Sequence, residues 1–172
     1  MKESVLHEAA LVYLSNQSAS AVSLTGVLKR RVNPWARREG RDPELIAEAH
    51  AAIERIIARF QQNGLLDDVA FANGRAERLG RAGRSRRAIA AHLQQRGVAE
   101  GTVREALPED DLPSAVTFAR KRRMGPFARE PMDEAARKKA IGAMARAGFS
   151  FSTCNRVLRT ALDEAAEITS RL

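Results

Sequence analysis

Apolar residues recur at steps of three and four along almost the whole chain, and alternating apolar–polar runs of β-branched and aromatic residues are absent. The pattern therefore predicts helices and no strands. A first helix over His7–Leu14 puts Ala10, Leu11 and Leu14 on one face. Ser20 is placed to cap a second helix carrying Leu24, Leu28 and Val32. Asn33-Pro34-Trp35 reads as a break that opens a basic loop over residues 33–41. Asp42-Pro43-Glu44 restarts helix with an acceptor, a preset φ and a favourable charge at the dipole's positive end. That helix carries Ile46, Ile53, Ile56, Ile57 and Phe60 and stops at Asn63-Gly64.

Asp67-Asp68 starts the next helix, through Phe71, Arg75 and Leu79, and Gly80 and Gly83 end it. Ser85 caps a helix with Ile89 and Leu93, ended by Gly97, and Val98, Val103 and Leu107 form a short one closed by Pro108. Leu112–Met124 is a further helix, broken by Gly125-Pro126-Phe127. Asp133 begins one with Ala140, Ile141 and Met144, and Ser150 or Ser152 begins the last, with Val157, Leu158, Leu162 and Ile168. The result is nine helices in three sets of three. Their middle members align without gaps as Ser20-Leu24-Leu28-Val32, Ser85-Ile89-Leu93-Gly97 and Ala136-Ala140-Met144-Gly148. The expected fold is all-α: an elongated array of three tandem three-helix repeats of helix-turn-helix-like form, spanning 1–66, 67–108 and 109–172.

Composition narrows the class. The chain has 172 residues, enough for a core without covalent staples, and its one cysteine, Cys154, allows no internal disulfide. The uncharged stretch Ala9–Leu28 is interrupted by Ser15-Asn16-Gln17-Ser18-Ala19-Ser20, too polar for a membrane span, and acidic Glu3 and Glu8 do not suit a signal peptide. A cytoplasmic protein with no membrane partner is expected. The net charge is +8, and it is clustered. Six basic residues lie between Lys29 and Arg41, and eight arginines between Asn73 and Arg104. Arg120-Lys121-Arg122-Arg123 and Arg137-Lys138-Lys139 add two more patches. Arginine-rich clusters in successive units suit a long anionic partner recognised by forked contacts.

Catalytic chemistry has little support. His7, His50 and His92 lack metal-ligand spacing, and Cys154 falls at an apolar helical position. Asp67-Asp68 and Glu109-Asp110-Asp111 sit at helix starts, where capping explains them better than metal binding. No phosphate loop of the GxxxxGK[ST] type is present. No catalytic residue, cofactor or metal is expected. Trp35 and Phe127 are read as pins holding their loops to the core, and Phe71, Phe118, Phe149 and Phe151 as packing residues.

Leu65-Leu66-Asp67-Asp68-Val69-Ala70-Phe71-Ala72, Gly83-Arg84-Ser85-Arg86-Arg87-Ala88-Ile89 and Arg96-Gly97-Val98 resemble the RecX regulatory proteins of bacteria. So do Ala119–Phe127 and Ala145-Arg146-Ala147-Gly148-Phe149. The loop over 33–41 is longer than the family pattern, and Cys154 stands where an aliphatic residue is usual. The resemblance implies a three-repeat helical regulator. Such a protein lies along the groove of the RecA filament on single-stranded DNA and restrains its ATP hydrolysis and strand exchange. Within that picture Arg84, Arg86 and Arg87, with Arg120, Lys121, Arg122, Arg123, Lys138 and Lys139, are the candidate filament- and DNA-binding residues, chosen on local charge, and the chain is expected to be a monomer. A sequence-specific helix-turn-helix repressor is the alternative.

Overall fold

A computed structural model describes residues 1–38 and 42–170. Its helices are α1 (Glu3–Asn16), α2 (Ala21–Arg38), α3 (Pro43–Gln62), α4 (Asp68–Arg81) and α5 (Arg86–Gln95), then α6 (Glu100–Ala106), α7 (Leu112–Lys121), α8 (Glu134–Arg146), α9 (Phe151–Arg159) and α10 (Leu162–Thr169). A single 3-10 turn occupies Gly125–Phe127, and no strand occurs among the described residues. The all-α expectation holds, with ten α-helices among the described residues in place of nine. The chain forms two compact units, Met1–Phe71 with Arg96–Thr102, and Ala72–Gln95 with Val103–Leu172.

In the first unit α1, α2 and α3 enclose Leu6, Ala10, Leu24, Leu28, Val32, Ile53, Ile56 and Phe60. Steps of four on α2 and of three and four on α3 bring these side chains to one stripe. The His7 ring meets Phe60 edge-on at 5.3 Å between centroids. Leu11, expected inside, is exposed. Leu6 and Ala10 define the inward line of α1, and residue 11 is turned about 100° away from it.

The expected break at Asn33-Pro34-Trp35 does not occur. α2 runs through Pro34 to Arg38, so residues 33–38 of the expected loop are helical, and residues 39–41 lie outside the described residues. Proline removes one helical hydrogen bond and crowds the preceding turn. Burial of Val32 and packing of Trp35 on the core, both on this last stretch, outweigh that loss. Asp42 caps α3 as expected, accepting from the Glu44 N–H at 2.9 Å.

In the second unit Leu112, Ala115, Val116, Ala119, Met144, Phe149, Cys154, Val157, Ala165 and Ile168 form the core. Phe118 meets Phe149 edge-on at 5.5 Å. Gly80 does not end α4; it lies inside the helix, buried where Ser114 Oγ donates to its carbonyl at 3.2 Å. α7 stops at Lys121, short of Met124. The expected last helix is two helices, because Thr160 and Ala161 are both extended. Thr160 Oγ1 donates to the Arg156 carbonyl at 2.8 Å and closes α9, and the bend lets Ala165 and Ile168 reach the core. The same bend leaves Leu162 exposed, and Phe151, at the first position of α9, is exposed as well, so neither packs as expected.

One arrangement occurs in each unit. In the first, Ser20 Oγ accepts from the Ser23 N–H at 3.1 Å and donates to the Arg96 carbonyl, while Asp68 Oδ1 accepts the Ala21 N–H at 2.8 Å. In the second, Ser85 Oγ accepts from the Ala88 N–H at 3.2 Å and donates to the Ala147 carbonyl at 2.7 Å, while Asp111 Oδ1 accepts the Arg86 N–H at 2.5 Å. Each carbonyl precedes a left-handed glycine, Gly97 or Gly148. A Cβ on Gly148 would lie 2.5 Å from Ser85 Oγ, so only glycine permits the approach.

Three substitutions test this packing. Gly64, at φ +70°, has open space around the missing Cβ, so Gly64→Ala should cost about 1 kcal/mol from backbone strain alone. Gly148→Ala should cost about 1–3 kcal/mol more, through the clash with Ser85, as read by urea denaturation. Pro34→Ala should stabilise the chain, by at most about 3 kcal/mol, by restoring one helical donor in α2.

Candidate functional site

The carboxylate pairs are spent on helix ends. Asp67 Oδ1 accepts the Val69 and Ala70 N–H groups at 2.9 Å and caps its own helix, while Asp68 serves α2. Asp110 Oδ1 accepts the Leu112 N–H at 2.5 Å, while Asp111 serves α5. Burial raises the Asp111 carboxyl above its ordinary value, with the Arg86 amide pulling the other way. Among the described residues no group of three His, Cys, Asp or Glu side chains gathers to hold a metal. Cys154 is buried, and that burial pushes its thiol up, away from thiolate chemistry. His92 Nε2 accepts from Arg75 Nε at 3.0 Å.

The candidate basic residues divide by what they touch. Arg86 Nη1 donates to the Glu109 carbonyl at 2.6 Å, so part of its fork is committed inside the second unit. Lys121 Nζ donates to the Ala82 carbonyl at 2.8 Å, and the Arg122 guanidinium lies 4.8 Å from the centre of the Phe118 ring. These three are partly structural. Arg84, Arg87, Arg120, Arg123, Lys138 and Lys139 are exposed. Among the described residues Arg55, Arg59 and Arg81 form ion pairs, and none of these six does.

The packing brings two of the patches together. The Lys121–Ala82 bond joins the end of α7 to the end of α4. A Cβ on Gly83 would lie 3.0 Å from the Phe118 amide, so those two turns are in close contact. Arg84 and the Arg120–Arg123 run therefore form one cationic surface. Arg87 is drawn instead to the end of α8, where its Cβ neighbours Gly148. Among the described residues no hydrogen bond or ion pair joins Lys138 or Lys139 to either group. Helix-terminal placement explains part of this charge without a ligand, since cations at the ends of α4 and α7 complement the dipole.

Arg123 needs a further explanation. Left-handed turns follow α3, α4, α5 and α8 at Gly64, Gly83, Gly97 and Gly148, and the turn after α7 gives that position to Arg123, at φ +54°. A side chain there costs about 1–2 kcal/mol. Arg137, of the Arg137-Lys138-Lys139 patch, differs from its two exposed neighbours. It lies three residues before Ala140 and seven before Met144, the spacing of an inward face, and its Nη2 is buried without a hydrogen-bond partner.

A curated regulatory protein RecX from Myxococcus xanthus is 37% identical over 159 residues, covering 89% of this chain and 83% of the relative. The chain belongs to the RecX family. A second RecX, from Agrobacterium fabrum, is 43% identical over 106 residues, which cover 61% of this chain and 58% of that protein. The family model described as the second three-helix domain of RecX matches residues 67–107. Two RecX crystal structures share the fold. One matches with TM-score 0.63 and 23% identity over 90% of this chain and 70% of the other. The other, from Lactobacillus salivarius, matches with TM-score 0.63 and 17% identity over 91% and 94%. The relatives are named as regulators, and no described helix of this RecX-family chain is long and apolar enough to cross a membrane.

Asp111 gives a pH test of the site's framework. Its folded pKa is raised, so the folded state binds that proton more readily than the unfolded state, and this residue adds stability as pH falls. Asp111→Asn keeps an oxygen acceptor for the Arg86 amide but removes the titration. Acidification through the carboxylate range should therefore destabilise Asp111→Asn more steeply than the parent chain. Asp111→Ala should lose about 1 kcal/mol at neutral pH, through the missing cap.

Proposed function

We propose that this chain is a non-enzymatic cytoplasmic regulator that binds the RecA–single-stranded DNA filament along its groove and lowers RecA ATP hydrolysis and strand exchange. What carries the reading is the unpaired cationic surface of Arg84, Arg120 and Arg123 on a RecX-family scaffold. A filament offers phosphate at regular intervals, and arginine forks bind phosphate with two donors at once. Several modest contacts along one polymer add through effective concentration. The reading needs no cofactor or metal. It takes the chain as three repeats, 1–66, 67–108 and 109–172, and the serine–aspartate arrangement that recurs at α2 and α5, the middle helices of the first two, supports a repeat there.

The direct test is co-sedimentation with RecA–single-stranded DNA filaments, with DNA alone and RecA alone as controls. The protein should co-sediment and should lower the DNA-stimulated ATPase. No contact and no rate change across salt concentrations would defeat the reading, and a footprint at one defined operator would favour the repressor instead. Arg84→Glu with Arg120→Glu should weaken filament binding about tenfold or more and flatten its salt dependence. Arg123→Gly should separate stability from function. It relieves the left-handed strain, stabilising the fold by about 1 kcal/mol, and it should weaken filament binding.

A further inference from the structure

We propose that a cavity of about 400 Å³ in the second unit is a phosphate seat, with Arg137 and Arg129 as its anion ligands. Both arginines line it, together with Glu130, Met132, Leu158 and Gly125. Arg137 Nη2 is buried and has no hydrogen-bond partner. A guanidinium cannot shed its proton to escape that cost. Arg137 as a whole is half-buried, but a cationic N–H held out of water without an acceptor is costly, and an incoming anion would supply one.

The walls of the cavity are fixed. Gly125 N–H donates to Met132 Sδ at 3.1 Å, which holds the two ends of the 125–132 segment together. Gly125 also lies tight on α9, where a Cβ would meet Leu158 at 3.0 Å. Arg137 is carried by α8. Glu130 shares the lining but pairs with neither arginine, so the cavity keeps a net single positive charge. That matches one phosphodiester. A carboxylate would fill little of the volume, whereas a nucleotide unit would set its phosphate on the arginines and its sugar against Met132 and Leu158. The seat rests on this geometry alone; assigning its phosphate to a DNA strand rests on the filament reading above.

The experiment uses the full isotope-labelled chain without RecA. Inorganic phosphate and a short thymidine oligonucleotide are titrated separately, and shifts of the Gly125 amide and the Arg137 side-chain Nε–H are followed by NMR. Both ligands should shift both signals. Arg137→Gln should weaken binding about tenfold and Arg129→Gln about threefold. Arg137→Gln should melt no lower than the parent chain, because it removes the unpartnered cationic Nη2. Shifts with inorganic phosphate alone would keep the seat and overturn its assignment to a strand. No shift from either ligand, or unchanged affinity in both variants, would overturn the proposal. Since RecA is absent, a failed filament assay alongside persistent phosphate shifts would count against the filament reading only.

Discussion

A helix begins with backbone amides that have no partner inside the helix, and this fold meets that constraint at α2 and α5 with a local serine and an aspartate from a distant part of the chain. Ser20 and Ser85 each satisfy one amide and use the same hydroxyl to bond a carbonyl at the end of another helical segment. Asp68 and Asp111 supply the next acceptor. One hydroxyl and one carboxylate thus resolve a donor shortage at one helix end and a carbonyl surplus at another. The two apolar cores lie beside these joints, and the glycines at 97 and 148 are required because the joints bring backbone to within side-chain reach.

The same arrangement explains why the acidic residues come in pairs. In Asp67-Asp68 the first residue caps its own helix and the second caps another, and Asp110-Asp111 divides the work in the same way. Two adjacent carboxylates in a strongly cationic chain look like chemistry on paper, but in three dimensions they are joinery. These four carboxylates are therefore taken up by backbone amides, while Arg84, Arg120 and Arg123 stay exposed near the meeting ends of α4 and α7.

Most of the helical layout was legible because periodicity and caps agree locally. Leu24, Leu28 and Val32, or Ile89 and Leu93, sit where their spacing puts them. The errors share one cause, tertiary packing overriding a local signal. Pro34 is a strong local stop, yet Val32 and Trp35 hold the helix past it. Thr160 is an ordinary helical residue by sequence, and its break exists because α10 has to fold back onto the core. Local charge found the basic patches but could not separate Arg84, which is free, from Arg86, which is bonded to a carbonyl 23 residues away. The buried face of Arg137 was readable from its distance to Ala140 and Met144, but the charge of its neighbours hid it.

The long reach of the serine–aspartate joints bears on how the molecule is made. The Ala21 amide finds its acceptor 47 residues downstream, and the Ser20 hydroxyl finds its carbonyl 76 residues downstream. A ribosome adds roughly 5–20 residues per second, so the start of α2 waits several seconds, half-finished, for Arg96 to emerge. The amino-terminal bundle cannot reach its final form as an independent early product of translation; its completion is tied to synthesis of the middle of the chain.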